Sequence, residues 1–313
     1  MLRWLLLSLS LLAAGSVRAE LAIYDLDWFD ESRQRAVPVR LYWPEGAERV
    51  PLVVFSHGIG GSRQGYSYLG EHFAANGMAS LHLQHVGSDR SLWTGNPITL
   101  IGRLNDAALE REALERVRDL SFALDQLLAH ESFGARVDRR RIAAAGHSYG
   151  ANTAMLAAGA SVLRGGRPLA LRDPRVRAAV LLSAPPFYGE GDLKPILHSI
   201  TLPTLHVTAT EDIIRIPGYY SPASDRIAVF DAIGSPLKAL AVFQGGSHSI
   251  FTNRAGTGGA ELNPKVKAAT RELALAFLRR VFEGKEDALA RWPDAYRPLL
   301  ARWISPGTAA AAR

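Results

Sequence analysis

Gly146-His147-Ser148-Tyr149-Gly150 constrains this chain more than any other stretch. Arg141-Ile142-Ala143-Ala144-Ala145 precedes it and reads as a short buried strand. Ala151 to Ala158 follows and reads as the start of a helix. A strand must therefore become a helix within a few residues. Glycines on both sides of the turn allow this, because neither puts a Cβ against the neighbouring backbone. So sharp a turn pushes the Ser148 hydroxyl out beyond the sheet edge.

The rest of the chain supplies the sheet that such a turn needs. Residues 21–28 and 36–43 read as an opening antiparallel pair. Val50 to Ser56 is a continuous apolar run, hence a buried strand. Tyr66 to Asn76 has helical spacing and stops at Gly77, a natural C-cap. Met78 to Gln84 is the next strand. Strand, helix, strand in this order predicts parallel crossovers and an α/β fold. The central sheet is then mostly parallel, with helices on both faces. Val86 to Asn105 carries Gly87, Gly95, Pro97 and Gly102 and reads as a long loop or partial lid. Ala107 to His130 reads as an amphipathic helix, with Arg and Glu on one side and Leu, Val and Phe on the other. Further strands are expected at Arg177–Ser183, Leu202–Ala209 and, as the last, Leu237–Phe243. Pro217 to Ile233 reads as irregular, Pro264 to Phe282 as a helix, and the Ala-rich end as frayed.

With 313 residues and no dividing linker, the expectation is one domain over residues 20–313 behind a leader of residues 1–19. Met1-Leu2-Arg3 gives a positive start, and Trp4 to Ala14 is an apolar run too short for a comfortable span. Val17-Arg18-Ala19 places small residues at −3 and −1 of a cleavage site. Cleavage after Ala19 would leave a periplasmic or secreted protein starting at Glu20. No later stretch is apolar enough to span a bilayer. The formal charge of +6 includes Arg3 and Arg18 of the leader, and no basic block marks a nucleic-acid site. The absence of cysteine excludes disulfides, a cysteine nucleophile and thiolate metal sites. His82 and His85 have no zinc pattern around them, and neither metal nor cofactor is expected.

A serine hydroxyl is a poor nucleophile unless a base stands within hydrogen-bond reach and a carboxylate orients that base. In a sheet of this kind the chain order is serine, acid, histidine. Leu205 to Thr210 runs into Glu211-Asp212, which puts a carboxylate where a parallel strand ends. Asp212 is preferred to Glu211 for its shorter side chain. His248 lies in the Gly245-Gly246-Ser247-His248 loop after the strand expected to be last. Those glycines let the backbone swing the imidazole towards Ser148. A developing oxyanion needs two backbone N–H donors. Tyr149, after the serine, is one candidate. Ile59, in the turn Ser56-His57-Gly58-Ile59-Gly60-Gly61, is the other. His57 is expected to shape that turn rather than act as a base. Phe187, Tyr188, Trp93, Tyr219 and Tyr220 are candidates for an acyl pocket, with ordinary packing the expected role of each alone.

The stretch Ser56-His57-Gly58-Ile59-Gly60-Gly61-Ser62-Arg63-Gln64-Gly65-Tyr66 resembles the S-H-G-x-G-x-x-R-x-x-Y segment of platelet-activating factor acetylhydrolases and of bacterial predicted dienelactone hydrolases, within the α/β-hydrolase superfamily. Gly146-His147-Ser148-Tyr149-Gly150 is similar to the G-H-S-F-G turn of the acetylhydrolases. The resemblance covers roughly residues 50 to 250, an extent specific to the superfamily branch. It implies hydrolysis of small-molecule or lipid-like carboxylic esters with short acyl groups, through an acyl-enzyme and with the order Ser148, Asp212, His248. Dienelactone hydrolases proper use a cysteine where this chain has Ser148. The alternatives are a polyester- or lipid-cleaving esterase of the same fold, and a catalytically silent binding module.

Overall fold

The computed structural model describes residues 20–216, 219–254 and 258–307. The expected leader, residues 1–19, and the Ala-rich end expected to fray lie outside the described residues. Nine strands form one sheet: β1 Leu21–Asp30, β2 Arg35–Pro44, β3 Val50–Ser56, β4 Ala79–Leu83, β5 Val137–His147, β6 Val176–Leu182, β7 Thr204–Glu211, β8 Lys238–Ser247 and β9 Leu300–Ile304. Their order across the sheet is β1-β2-β4-β3-β5-β6-β7-β8-β9. All neighbours from β4 to β8 pair in parallel. Strands β1 and β2 at one edge and β9 at the other pair antiparallel.

Side chains alternate along each strand, so one strand feeds two cores. Leu52 and Val54 of β3, with Ile142 and Ala144 of β5, face one apolar cluster. Val53, Phe55, Ala143 and Ala145 face the other. Helices α3 (Glu110–Ala129), α4 (Tyr149–Ala158), α5 (Leu193–Leu197) and α6 (Ser224–Ala232) contribute to the first cluster. Helices α1 (Ser67–Ala75), α7 (Leu262–Glu283) and α8 (Asp287–Tyr296) contribute to the second. The run Ala143-Ala144-Ala145 keeps β5 thin, which lets the helices approach it closely.

Several expectations need correction. The segment read as a loop contains helix α2 (Leu100–Ala107), and α3 starts only at Glu110. Pro217–Ile233 is not irregular throughout: it contains α6. The last strand is not Leu237–Phe243 but β9, which follows α8 and closes the sheet edge against β8. The charged residues of α3 do not all face water either. Glu112, Arg116 and Asp119, at i, i+4 and i+7, form a buried stripe. Among the described residues, no helix is long and apolar enough to cross a membrane.

Candidate active site

Ser148 stands between β5 and α4 with φ 55° and ψ −122°, a conformation that L side chains rarely adopt. Its N–H bonds the Leu182 carbonyl of β6 at 2.9 Å, and its carbonyl accepts the Ala151 N–H at 2.8 Å. The flanking glycines are needed for space rather than for their own φ. A Cβ on Gly150 would lie 1.8 Å from the Ser56 carbonyl oxygen, and one on Gly146 2.1 Å from that of Gly150. The turn therefore packs directly on the end of β3, and the strain falls on the serine itself.

The end of β8 passes through Gly245 (φ 71°) and Gly246 (φ 90°), and the chain then enters a 3-10 turn over His248–Phe251. His248 Nε2 lies 2.8 Å from Ser148 Oγ, and His248 Nδ1 lies 2.7 Å from Asp212 Oδ1. A carboxylate only accepts, so Nδ1 carries the proton and Nε2 is free to accept from the serine hydroxyl. The structure thus brings Ser148, His248 and Asp212 into one hydrogen-bonded chain. Glu211 is exposed and takes no part in it. Asp212 is fully buried at the end of β7. Burial alone would raise its pKa. The His248 hydrogen bond and the positive charge of Arg226 outweigh this and hold the carboxyl well below the usual range. The Thr208 hydroxyl donates to Oδ2 at 2.7 Å, and the buried Arg226 reaches 3.5 Å from Oδ1.

The turn after β3 lies on the other side of Ser148. A Cβ on Gly58 would meet Ser148 Cβ at 3.3 Å. His57 is buried and does shape this turn. Its Nδ1–H donates to the Gly58 carbonyl at 2.7 Å, while Nε2 accepts the His85 N–H at 3.1 Å. The Gly58 carbonyl also accepts the Gly61 N–H at 3.0 Å. In a trans peptide the N–H points opposite to the C=O, so these bonds fix the direction of the Ile59 N–H. Among the described residues, neither Ile59 N–H nor Tyr149 N–H donates a hydrogen bond within the protein.

His147 supports His248 from behind. Its Nε2–H donates to the His248 carbonyl at 2.8 Å, and its Nδ1 accepts from the Tyr66 hydroxyl at 2.8 Å. Burial, together with the nearby His248, pushes its pKa down to about 3, so it stays neutral. His82 and His85 have separate partners. His82 bonds the Gly65 carbonyl and Ser80, whereas His85 bridges Asp119 and Ser56. Arg63 of the same segment ties the β1–β2 hairpin through Asp27 and the Leu26 and Val39 carbonyls.

Sequence reasoning missed Arg226, Arg116 and the positioning role of His147. For Arg226 no local signal existed, since its segment read as irregular. For Arg116, the i, i+4, i+7 spacing of Glu112, Arg116 and Asp119 was a usable sign of a buried polar stripe. The aromatic candidates also differ from expectation. Trp93, Tyr188 and Tyr220 are 49%, 63% and 60% exposed, so core packing is not their role. Trp93 covers Gly60 and donates from Nε1 to its carbonyl at 2.8 Å. Tyr188 meets Tyr219 edge-on at 5.6 Å between ring centres.

Comparison with known proteins agrees with this architecture. A solved structure of a ferulic acid esterase from Streptomyces cinnamoneus superposes with a TM-score of 0.66, covering 93% of this chain and 98% of that one. The fold is that of the α/β-hydrolases. At 24% identity the likeness speaks for the α/β-hydrolase fold alone. The family model for platelet-activating factor acetylhydrolase, isoform II, matches residues 30–96, which include the turn that carries Ile59. No match was found among curated protein sequences.

Proposed function

We propose that this chain hydrolyses carboxylic esters with Ser148 as nucleophile, His248 as general base and acid, and Asp212 as the group that orients and stabilises the imidazolium. The observation that carries this reading is the unbroken chain from Asp212 through His248 to Ser148, at 2.7 and 2.8 Å, on a serine presented by a strained strand-to-helix turn. Ser148 Oγ attacks the ester carbonyl carbon as its proton passes to His248 Nε2. The carbonyl oxygen becomes an oxyanion facing the Ile59 and Tyr149 amides, and the helix dipole of α4 favours negative charge at the same point. The tetrahedral intermediate then expels the alcohol, which takes the proton from His248. Water enters, gives a proton to His248 and attacks the acyl carbon. Collapse returns that proton to Ser148 and frees the acid.

The preferred acyl group in this reading is short. Support comes from the segment between β4 and α3, where α2 is only eight residues long and no large apolar helix covers the site. The protein is read as one domain over residues 20–313, exported after removal of residues 1–19.

The test is the mature chain against nitrophenyl esters from acetate to dodecanoate, with methyl ferulate as an aromatic arm. Specificity constants should peak between acetate and hexanoate, since an added CH₂ gains about 0.8 kcal/mol only until the pocket is full. A maximum at dodecanoate on monomeric substrate rejects the short-acyl reading, and a maximum on methyl ferulate replaces it with an aromatic one. Fluorophosphonate should label Ser148, and Ser148→Ala should lose on the order of 10⁴–10⁶ in turnover. A protein that neither turns over esters nor takes the label is a binding module. N-terminal sequencing of exported protein should begin at Glu20, and an intact Met1 rejects the leader.

A further inference from the structure

Arg116 lies on α3, outside the hydrogen-bonded chain, and is wholly buried. A guanidinium is costly to take out of water. Burial pushes its pKa down to about 10, which still leaves it charged at neutral pH. Its three hydrogen bonds go to neutral oxygens, and each acceptor belongs to a different segment around the site. Nη2 donates to the His57 carbonyl, Nη1 to Ser88 Oγ at 2.8 Å, and Nε to Thr153 Oγ1 at 3.0 Å. The Ser88 hydroxyl in turn donates a hydrogen bond to Glu112 Oε1 at 2.8 Å. The guanidinium carbon also sits 4.5 Å from the centre of the Tyr149 ring.

These contacts converge on both amides read above as oxyanion donors. The His57 carbonyl belongs to the peptide just before the one that carries the Ile59 N–H. Thr153 lies one helical turn after Tyr149 on α4. We propose that Arg116 is a positioning residue that clamps the β3 turn to the start of α4 and so sets the spacing of the Ile59 and Tyr149 amides around the oxyanion. Its charge lies beside the end of α4 that is already positive, and it adds to the field that favours an anion there. Glu112 and Asp119 on the same helix help to hold that charge in place. The inference rests on the ester-hydrolase reading.

The experiment uses Arg116→Met and Arg116→Lys in the mature chain, with thermal melts to establish folding. Ester turnover is measured beside inhibition by an alkyl trifluoromethyl ketone, whose serine adduct carries the oxyanion. Removing an oxyanion donor outright costs about 10²–10³ in kcat, so misplacing the pair should cost Arg116→Met about 100-fold, with KM changed less than about threefold. The ketone Ki should rise by the same factor as kcat/KM falls. Arg116→Lys keeps the charge but not the three-way fork, and should recover part of the loss. If Arg116→Met does not fold, Arg116→Lys decides, with an intermediate loss expected in kcat and in ketone affinity together. A folded variant that keeps kcat, loses only through KM, or binds the ketone as wild type does overturns the proposal. So does failure of both variants to fold, which makes the arginine purely structural. Wild-type protein that takes no fluorophosphonate and cleaves no ester removes the ester-hydrolase reading first. Labelled, active wild type with fully active Arg116→Met removes this inference alone.

Discussion

Replacing Ser148 by glycine and, separately, by alanine isolates the strain at the turn. Both changes delete the hydroxyl and its 2.8 Å hydrogen bond to His248, so that loss cancels between them. Alanine keeps a Cβ at φ 55° and ψ −122°, where the crowding costs about 1–3 kcal/mol. Glycine relieves it. Against this, glycine loses about 0.5–1 kcal/mol more chain entropy on folding than alanine does. The balance favours Ser148→Gly over Ser148→Ala by up to roughly 2.5 kcal/mol, the reverse of the order at ordinary positions. In a chain of this size that amounts to up to roughly 4 °C in Tm. Thermal melts and urea midpoints of the two variants, both expected to be inactive, make the comparison. If Ser148→Ala melts above Ser148→Gly, the turn is not strained. The account of how Ser148 is lifted clear of the sheet then fails with it.

Three further outcomes are expected. His57, His82, His85, His147 and His206 are buried with lowered pKa values, burial being the largest cause at each. The unfolded chain takes up protons on them below about pH 6.5 while the folded chain does not, so stability should fall as pH drops from there, by up to about 1.4 kcal/mol per unit for each. Asp212, also lowered, acts in the same direction further down, through the ordinary carboxylate range. A Tm that stays flat from pH 8 to 5 contradicts this. Asp212→Asn should lose about 10³–10⁴ in kcat by favouring the wrong His248 tautomer, while Glu211→Gln stays near wild type; the opposite pattern moves the acid by one residue. Gly150→Ala should fail to give a native melt, because its Cβ would lie 1.8 Å from the Ser56 carbonyl oxygen, and a stable, active variant argues against that packing.

Where local patterns carried enough information, the sequence could be read directly. The apolar run Val50–Ser56 coincides with β3 because a strand buried on both faces needs no partner to be recognised. The strand-turn-helix around Ser148 was legible because a strand-like run and a helix-like run meet across two glycines within a few residues of one another. Asp212 and His248 were legible as positions after strands, a matter of chain order. Other elements were obscured by conflicting local signals. Helix α8 carries Pro293 inside it, and β9 is a partly exposed edge strand whose place depends on pairing with β8. Helix α6 is short and nearly balanced in polarity, so periodicity hid both it and Arg226.

By itself the sequence determined the order of the sheet-forming runs, the serine turn and the residues able to form an acid-base chain, because these follow from periodicity, glycine placement and side-chain chemistry along the chain. Only the tertiary structure decided which buried groups answer one another across it. Arg116 meets His57 and Thr153, and His147 holds the His248 carbonyl, through contacts between residues that lie far apart in sequence. No local pattern specifies such pairings, since each exists only when two elements are packed to within hydrogen-bond distance.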